Sequence, residues 1–489
     1  HATHDAGGYD ACVWEPDHLM PFLDIRRWQG SLASSMAPED LQPGDFVDMQ
    51  NFIYDAGDGL PVVRGGRRCW SKTGSEMGDW SVSEPTDSVE KLYHYKRSWI
   101  GSGAKSFLIG VYGGDVYYAL PDGRFTEILS DVTEDTKPSF TTLRGRLVMG
   151  SESSTQDKLY KWTGSGNMQE IAGSPNGSVV ATYANRVWTV DKTDRSKLWW
   201  SALYDMDHWN PNASDPNLRG GWVQVGPGDG NEISALVPGF AGEMIIFKDG
   251  AAGGAIYRLQ GTDPDTFTLS QLSATVGALT NHVATQVGDR EVFFCSRRGI
   301  HALGRVLQHG DLESTMIDQE ISNKWRSLSL TAQRQAIAVD DITNGQWILF
   351  VNADGGTGPN TEGWALNYRR RTPRGNPSAS ILDYGTNAAC VFEDQASKRE
   401  FLLTGATSAR GAVYSDGHPE PRDDTNTAGT VTNADFDWSA QLAPIDAGDV
   451  MSMKSWRDLW LSYDVWGDAK FTVEWWGDNR YPSSQTVTF

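Results

Sequence analysis

Apolar residues in this chain come in short runs rich in Val, Ile and aromatic residues, "WILFV" among the longest, separated by clusters of Gly, Asp, Asn and Ser. That rhythm predicts short strands joined by tight turns. One arrangement returns: an apolar strand, a polar loop, then a strand with an aromatic in its middle. It reads "KSFLIGVYGGDVYYAL" from Lys105, "GRLVMGSESSTQDKLYKWTG" from Gly145, "NRVWTVDKTDRSKLWWSAL" from Asn185, "GEMIIFKDGAAGGAIYRLQG" from Gly242, "DREVFFCSRRGIHALG" from Asp289, "GQWILFVNADGGTGPNTEGWALNY" from Gly345 and "KREFLLTGATSARGAVYSDG" from Lys398. Successive starts lie 40, 40, 57, 47, 56 and 53 residues apart. This is close to the ~40–50 residues of a four-stranded propeller blade.

In the later strand of each unit an apolar residue precedes a ring, at Val116-Tyr117, Leu159-Tyr160, Leu198-Trp199, Ile256-Tyr257, Ile300-His301 and Val413-Tyr414. The sixth unit departs with Trp364-Ala365. A small sheet cannot bury both faces alone, so blades must stack radially, and flat rings fill the wedge between them. Tyr117, Tyr160, Trp199, Tyr257 and Tyr414 are therefore expected to pack between blades. Segments such as "ATYANRVW" and "AIAVDDITNGQWILF" supply the preceding strand of a meander. A helical or irregular insert is expected over 318–335, "DQEISNKWRSLSLTAQRQ". The pattern predicts an all-β fold, an approximately seven-bladed β-propeller.

Composition sharpens this in three ways. With 42 Lys+Arg against 63 Asp+Glu, the 489-residue chain carries a net charge of −21, which disfavours general attraction to nucleic acid or anionic lipid. No apolar run approaches the ~20 residues that span a bilayer as a helix. Cys12, Cys69, Cys295 and Cys390 lie far apart with no CxxC, so buried thiols are expected, not a zinc site or disulfide framework. The opening "HATHDAGGYDACVW" lacks a signal pattern and reads as a trimmed start, and "TVTF" reads as an end inside a strand.

The chemistry-bearing candidates are few. Asp205, Asp207 and His208, flanked by Trp199, Trp200 and Trp209, have the residue types of a sugar cleft, since glycosidases set two carboxylates ~5–9 Å apart. They equally suit a polar turn anchored by a Trp, because the same strand-loop-strand recurs without the acids. "YRRRTPR", with Arg369, Arg370 and Arg371, is the densest basic run and fits carboxylate or phosphate forks; on so acidic a chain it is read as a protein contact or solvated loop. "DAGDG" at 55–59 and "PGDGNE" at 227–232 offer hard oxygens for calcium but lack EF-hand spacing, so turns are the favoured reading. His1, His4 and Asp5 form a metal-like trio in what is expected to be a mobile or neighbour-bound start. HExxH, P-loop, GxSxG and strand-following GxGxxG motifs are missing from the sequence, and neither a cofactor nor an enzymatic activity is expected.

Three segments together resemble the β-propeller tail proteins of bacteriophages, in particular the nozzle or tail-completion proteins of short-tailed phages. The first is "GSLASSMAPEDLQPGDFVDMQNFIYDAGDGLPVVRGG", with "LQPGD" at 41–45, Asn51 and "VVRGG" at 62–66. The second is "NRVWTVDKTDRSKLWWSALYDMDHWN", 185–210, and the third runs from Met244 to Leu303. The third departs from the family pattern in its long "DGAAGGA" loop and in Arg297-Arg298. The C-terminal piece resembles a β-sandwich-like module attached to such propellers, with "LWLSYDV" and "KFTVEWW" as alternating strands.

The resemblance implies an N-terminal arm and first strands over 1–86, a propeller over 87–425, and an incomplete sandwich-like module over 426–489. It implies a virion tail protein, assembled in the host cytoplasm as a homo-oligomeric ring. A hexamer is suggested, docked to a portal or adaptor ring and to other tail proteins. Such a ring lines or closes the DNA-ejection channel, and genomic DNA passes without specific binding. Two alternatives stay open: a host-glycan-binding tail protein using Trp199, Trp200 and Trp209 with Asp205 and Asp207, and a propeller glycosidase using the same acids.

Overall fold

A computed structural model describes residues 31–36, 41, 45–54, 61–70, 87–97, 106–119, 123–130, 137–152, 158–215, 217–251, 253–288, 291–305, 312–393, 399–407, 412–418, 422–427, 430–442, 470–475 and 483–488. Two-residue turns fold the apolar runs back on themselves. Gly113 and Gly114, with φ of 53° and 87°, join Ser106–Tyr112 to Asp115–Ala119. Positive φ at both turn positions gives the hairpin the right-handed twist of its strands, and glycine reaches it without strain.

Repeated around the chain, these meanders make a seven-bladed β-propeller. Blades 1 to 5 are four-stranded antiparallel sheets spanning 89–129, 139–170, 177–224, 231–273 and 284–316. Blade 6 spans 337–382 and blade 7 is built on 389–418. The first strands of successive blades touch in cyclic order, blade 7 touching blade 1, so they surround a common axis. Before blade 6, helices α1 (Ser322–Ser327) and α2 (Leu330–Gln335) occupy the expected helical insert.

The residues before the first blade are woven into the last two. Phe46–Gln50 joins the sheet of blade 6, parallel to Pro377–Leu382 and antiparallel to Ser439–Leu442. Gly66–Cys69 supplies the fourth strand of blade 7, pairing Tyr414 with Cys69 and His418 with Gly66. The ring is therefore closed by its own N-terminal side. Outside the propeller, Lys470–Trp475 pairs with Ser483–Thr488 as an antiparallel hairpin. The "LWLSYDV" strand expected for a sandwich-like module lies outside the described residues, as do Cys12, the His1–His4–Asp5 trio and the "DAGDG" loop.

The apolar-ring pairs all fall at the third strand of a blade, and their two residues face opposite interfaces. Val116, Leu159, Leu198, Ile256, Ile300 and Val413 each join the cluster shared with the following blade. Tyr117, Tyr160, Trp199 and Tyr257 join the cluster shared with the preceding one. Tyr414 packs beside Ala406, Ala412 and Cys69. Tyr117, Tyr257 and Tyr414 are buried, and Tyr160 and Trp199 half-buried.

Blade 6 keeps the ring and shifts the pair by one. Trp364 points back into the blade 5 interface, while the preceding position is Gly363. A Cβ there would lie 2.9 Å from the Phe350 ring, so the bulk usually supplied by the third strand comes from Phe350 on the second.

Polar bonds add register to the interfaces. Lys248 of blade 4 is fully buried, and its ammonium donates to Val225 O at 2.7 Å and Gly226 O at 3.0 Å, and to both Asp229 carboxylate oxygens at 2.8 and 2.9 Å. The closing segment is held more elaborately. Arg64, 4% exposed, donates from Nε to Asn51 Oδ1, from Nη1 to Gly65 O and Asp423 Oδ1, and from Nη2 to Asp383 Oδ1 and Asp423 Oδ2. All five guanidinium donors are used. Its plane also covers the Phe436 ring, 3.7 Å from the centroid. Beside it the Arg67 and Cys69 amides donate to Asp423 and Asp424, in the hairpin 422–435.

Breaking a buried, fully bonded pair from one side costs about 3–5 kcal/mol. Arg64→Ala is expected to lower the unfolding free energy by that amount, and Arg64→Lys to recover only a minor part, because an ammonium cannot reproduce the fork. Equal stability of Arg64→Lys and wild type in urea unfolding would refute the clasp.

His301, the ring of blade 5, stacks on Phe294 with centroids 5.1 Å apart and shares a 2.8 Å hydrogen bond with Ser296 Oγ. Burial, aided by nearby Arg298, pushes its pKa down to about 4. An unfolded chain then binds a proton at higher pH than the folded one. The neutral ring's contribution is whole above the unfolded value near 6.5, and is lost as pH falls towards 4. Wild type should lose on the order of 2–3 kcal/mol more than His301→Phe between pH 7 and pH 4, read from paired urea titrations.

Candidate functional site

The segment 185–210 begins at a turn in which Ala184 and Asn185 both have positive φ, 48° and 58°. It continues through Arg186–Asp191 and Lys197–Trp200 of blade 3 into a polar loop. Alternation along these strands sends the tryptophans to different faces. Trp188 is fully buried, 5.2 Å from Trp200 and 5.0 Å from Phe267 of blade 4. Trp209 lies with Met206 against Leu143, Val148 and Leu159 of blade 2, and its indole N–H donates to Met206 O at 2.7 Å.

The acids of this loop have intramolecular partners. Asp205 takes the Asp207 amide at 2.8 Å and His208 Nδ1 at 2.7 Å. Lys161 of blade 2 donates to both oxygens of Asp207, at 2.7 and 2.8 Å. Trp200 and Trp209 thus sit in two different interfaces, and the two carboxylates serve a turn and a blade-to-blade ion pair.

Trp199 packs at the same blade 2 interface as Trp209 and borders an open groove of about 410 Å³ with Trp222, Lys197, Asp191 and Asp194. Lys197 Nζ sits 4.2 Å from the Trp199 ring centre and 4.4 Å from that of Trp222. Burial alone would raise the Asp191 pKa. Hydrogen bonds from the Trp199 indole and the Asp194 and Thr193 amides, with the charge of Lys197, hold it below the usual carboxylate value.

The basic run ends the third strand of blade 6. Arg369 donates to the carbonyls of Ile342 and Thr343, and Arg371 pairs with Glu291 of blade 5 at 2.6 Å. Arg370 lies over the Tyr54 ring at 5.1 Å. Arg369 and Arg371 alternate onto one side of the strand and are exposed.

The larger cavity lies where the inner strands of blades 2 to 5 begin, at the propeller axis, with a volume of about 520 Å³. Lys137, Arg195, Arg297 and Arg334 line it, against Glu152, Glu232 and Asp249. Arg195 pairs with Glu152 at 2.6 Å and with Glu232 at 3.4 Å. Arg297 grips Asp249 through two 3.0 Å bonds, and Arg334 reaches the same carboxylate at 3.0 Å. The long "DGAAGGA" loop and the unusual Arg297 are therefore two ends of one interaction.

Hydrogen bonds join inner segments of non-neighbouring blades here. Lys91 Nζ of blade 1 meets His282 Nδ1, leading into blade 5, at 3.1 Å. Lys137 Nζ, leading into blade 2, donates to Gln335 O, leading into blade 6, at 2.9 Å. Asn281 donates to Ser139 Oγ at 3.3 Å. Lys91 and Lys137 look like ordinary strand-end charges in the sequence, and only ring closure brings them together. Among the described residues no cluster of three His, Cys, Asp or Glu side chains has the arrangement of a metal site.

The sheet order and cyclic contacts define the class: a seven-bladed β-propeller protein. No family model matches the chain, and no curated protein matches it. Solved structures give distant likenesses only. The β-propeller domain of Cps50 (Swd1) from Myceliophteria thermophila is 11% identical, with 68% of this chain and 97% of that chain covered at a TM-score of 0.41. The extracellular domain of a putative one-component system from B. thetaiotaomicron is 10% identical at a TM-score of 0.45, with 80% of this chain and 50% of that chain covered.

The placement of the tryptophans makes a direct test. Trp209 is 6% exposed and Trp222 46% exposed. Trp209→Ala should cost about 3–5 kcal/mol in denaturant unfolding, whereas Trp222→Ala should stay within about 1 kcal/mol of wild type. A Trp209→Ala protein as stable as wild type would mean that this ring is not packing material.

Proposed function

We propose that this chain is a structural component of a bacteriophage tail, a nozzle or tail-completion ring around the path of the ejected genome. The observation that carries the reading is the use made of the opening segment that resembles such proteins. Its Phe46–Gln50 strand joins blade 6, and "VVRGG" supplies Arg64 and leads into the strand that completes blade 7. A propeller locked at its seam suits a subunit that must keep its shape while neighbours and DNA bear on it. The Met244–Leu303 likeness spans the junction of blades 4 and 5, including the packed pair Phe247 and Phe294, 4.8 Å apart. The acidic chain, at −21, favours free passage of DNA over retention.

In this reading several copies stand side by side in a ring, a hexamer by resemblance, with Arg369 and Arg371, exposed and each already bonded within its own subunit, at the contact. A host-glycan role has one observation in its favour, the half-exposed Trp222 beside Trp199. The neighbouring acids, however, are engaged by Trp199 and Gln224. The glycosidase reading has both its carboxylates, Asp205 and Asp207, in internal bonds.

Antibodies against the chain, applied to phage particles released from cells that carry its gene, should decorate the tail end in electron micrographs. The purified chain mixed with the matching portal–adaptor complex should give a closed ring by native mass measurement. Particles without label, with a chain that stays monomeric beside the adaptor and binds host polysaccharide saturably, would overturn the proposal.

A further inference from the structure

The axial cavity is basic within an acidic molecule. Its wall carries four cations, Lys137, Arg195, Arg297 and Arg334, against three carboxylates, Glu152, Glu232 and Asp249, while the whole chain stands at −21. The arginines spend their charge on those acids. Lys137 does not: its hydrogen bond is to the neutral Gln335 carbonyl, which uses one of three ammonium donors. Next to it stand the Lys91 ammonium and the His282 ring, which also hydrogen-bonds the Lys137 main chain.

The groups facing this point work against one another. Burial, then the charge of Lys91, pulls the Lys137 pKa down to about 7, with Glu90 the one nearby carboxylate opposing the change. Burial also brings Lys91 to about 8, and Cys390 beside it acts in the opposite sense. His282 is pushed well below its ordinary value by burial and by both lysines. Lys137 lines the cavity and keeps part of its area open to it, while Lys91 stands behind it, partly buried. Bringing a double negative charge to this point would relieve the repulsion and fill the open donors of Lys137.

We propose that the cavity on the propeller axis binds a small doubly charged oxyanion, seated against Lys137 and flanked by Arg334 and Arg297. A volume near 520 Å³ accommodates such a group either free or at the end of a larger molecule. The site is independent of the tail-ring reading, since it uses one subunit's axis and no neighbour.

Sulfate is the probe, because it stays a dianion across the pH range in which the lysines titrate. Calorimetric titration should show one saturable site absent with chloride at matched ionic strength, and a sulfate-dependent rise in Tm. Affinity should fall at least tenfold from pH 6 to pH 9 as Lys137 and Lys91 lose their protons. Lys137→Met should weaken sulfate at least tenfold, and Arg334→Gln, on the cavity wall and half-exposed, several-fold. If Lys137→Met does not fold, Arg334→Gln decides alone. Glycerol phosphate binding more tightly than inorganic phosphate assigns the oxyanion to a larger ligand, and equal binding assigns it to the free ion. Sulfate behaving as chloride does, or binding both variants as it binds wild type, overturns the proposal.

Discussion

Every part of this molecule depends on covering both faces of a four-stranded sheet. A blade alone leaves two apolar faces in water, and stacking covers them only if the last blade meets the first. At about 25 cal/mol per Å² of apolar surface, an open seam carries a cost that grows with the area of the two faces left uncovered. The wedge shape of each interface explains the residue types. Large flat rings fill its volume, and small aliphatic residues meet them from the other side. Closure explains a dense group of buried polar side chains. Arg64, with Asn51, Asp383 and Asp423, ties the incoming N-terminal segment to the end of blade 6 and to the hairpin that follows blade 7.

The blade repeat was readable because it is local. The apolar-ring pair follows from strand alternation, since neighbouring side chains point to opposite faces and each face needs its own filling. The departure at Trp364-Ala365 has its reason outside the local pattern: Gly363 occupies the apolar position and Phe350 supplies the missing volume from another strand. The helical insert was also visible, in a stretch without strand alternation.

What stayed hidden was non-local. Arg64 reads as one charge after two valines, and nothing nearby in the sequence announces Asp423, 359 positions away. Lys91 and Lys137 likewise become partners in one site only when blades 1 and 2 face blades 5 and 6 across the axis. The aromatic-acidic segment 185–210 shows the same limit from the other side. Its composition suits a ligand cleft, yet packing sends Trp188 and Trp200 into one interface and Trp209 and Trp199 into another, where Trp199 borders a groove with Trp222. Residue types specify what chemistry is available, and topology decides whether those groups ever share a volume of space.

The strand Gly66–Cys69 pairs with residues up to His418, so an edge of the propeller made early must wait for nearly the last. At ordinary rates of synthesis the roughly 350 residues between them take about 20–70 s to emerge. Throughout that interval an unpaired strand and the charged side chains around it remain open to other chains. A ribosome-bound intermediate of this protein is thus an unfinished circle, and in a cell making many copies at once the competing event is exchange of that strand between neighbouring nascent chains.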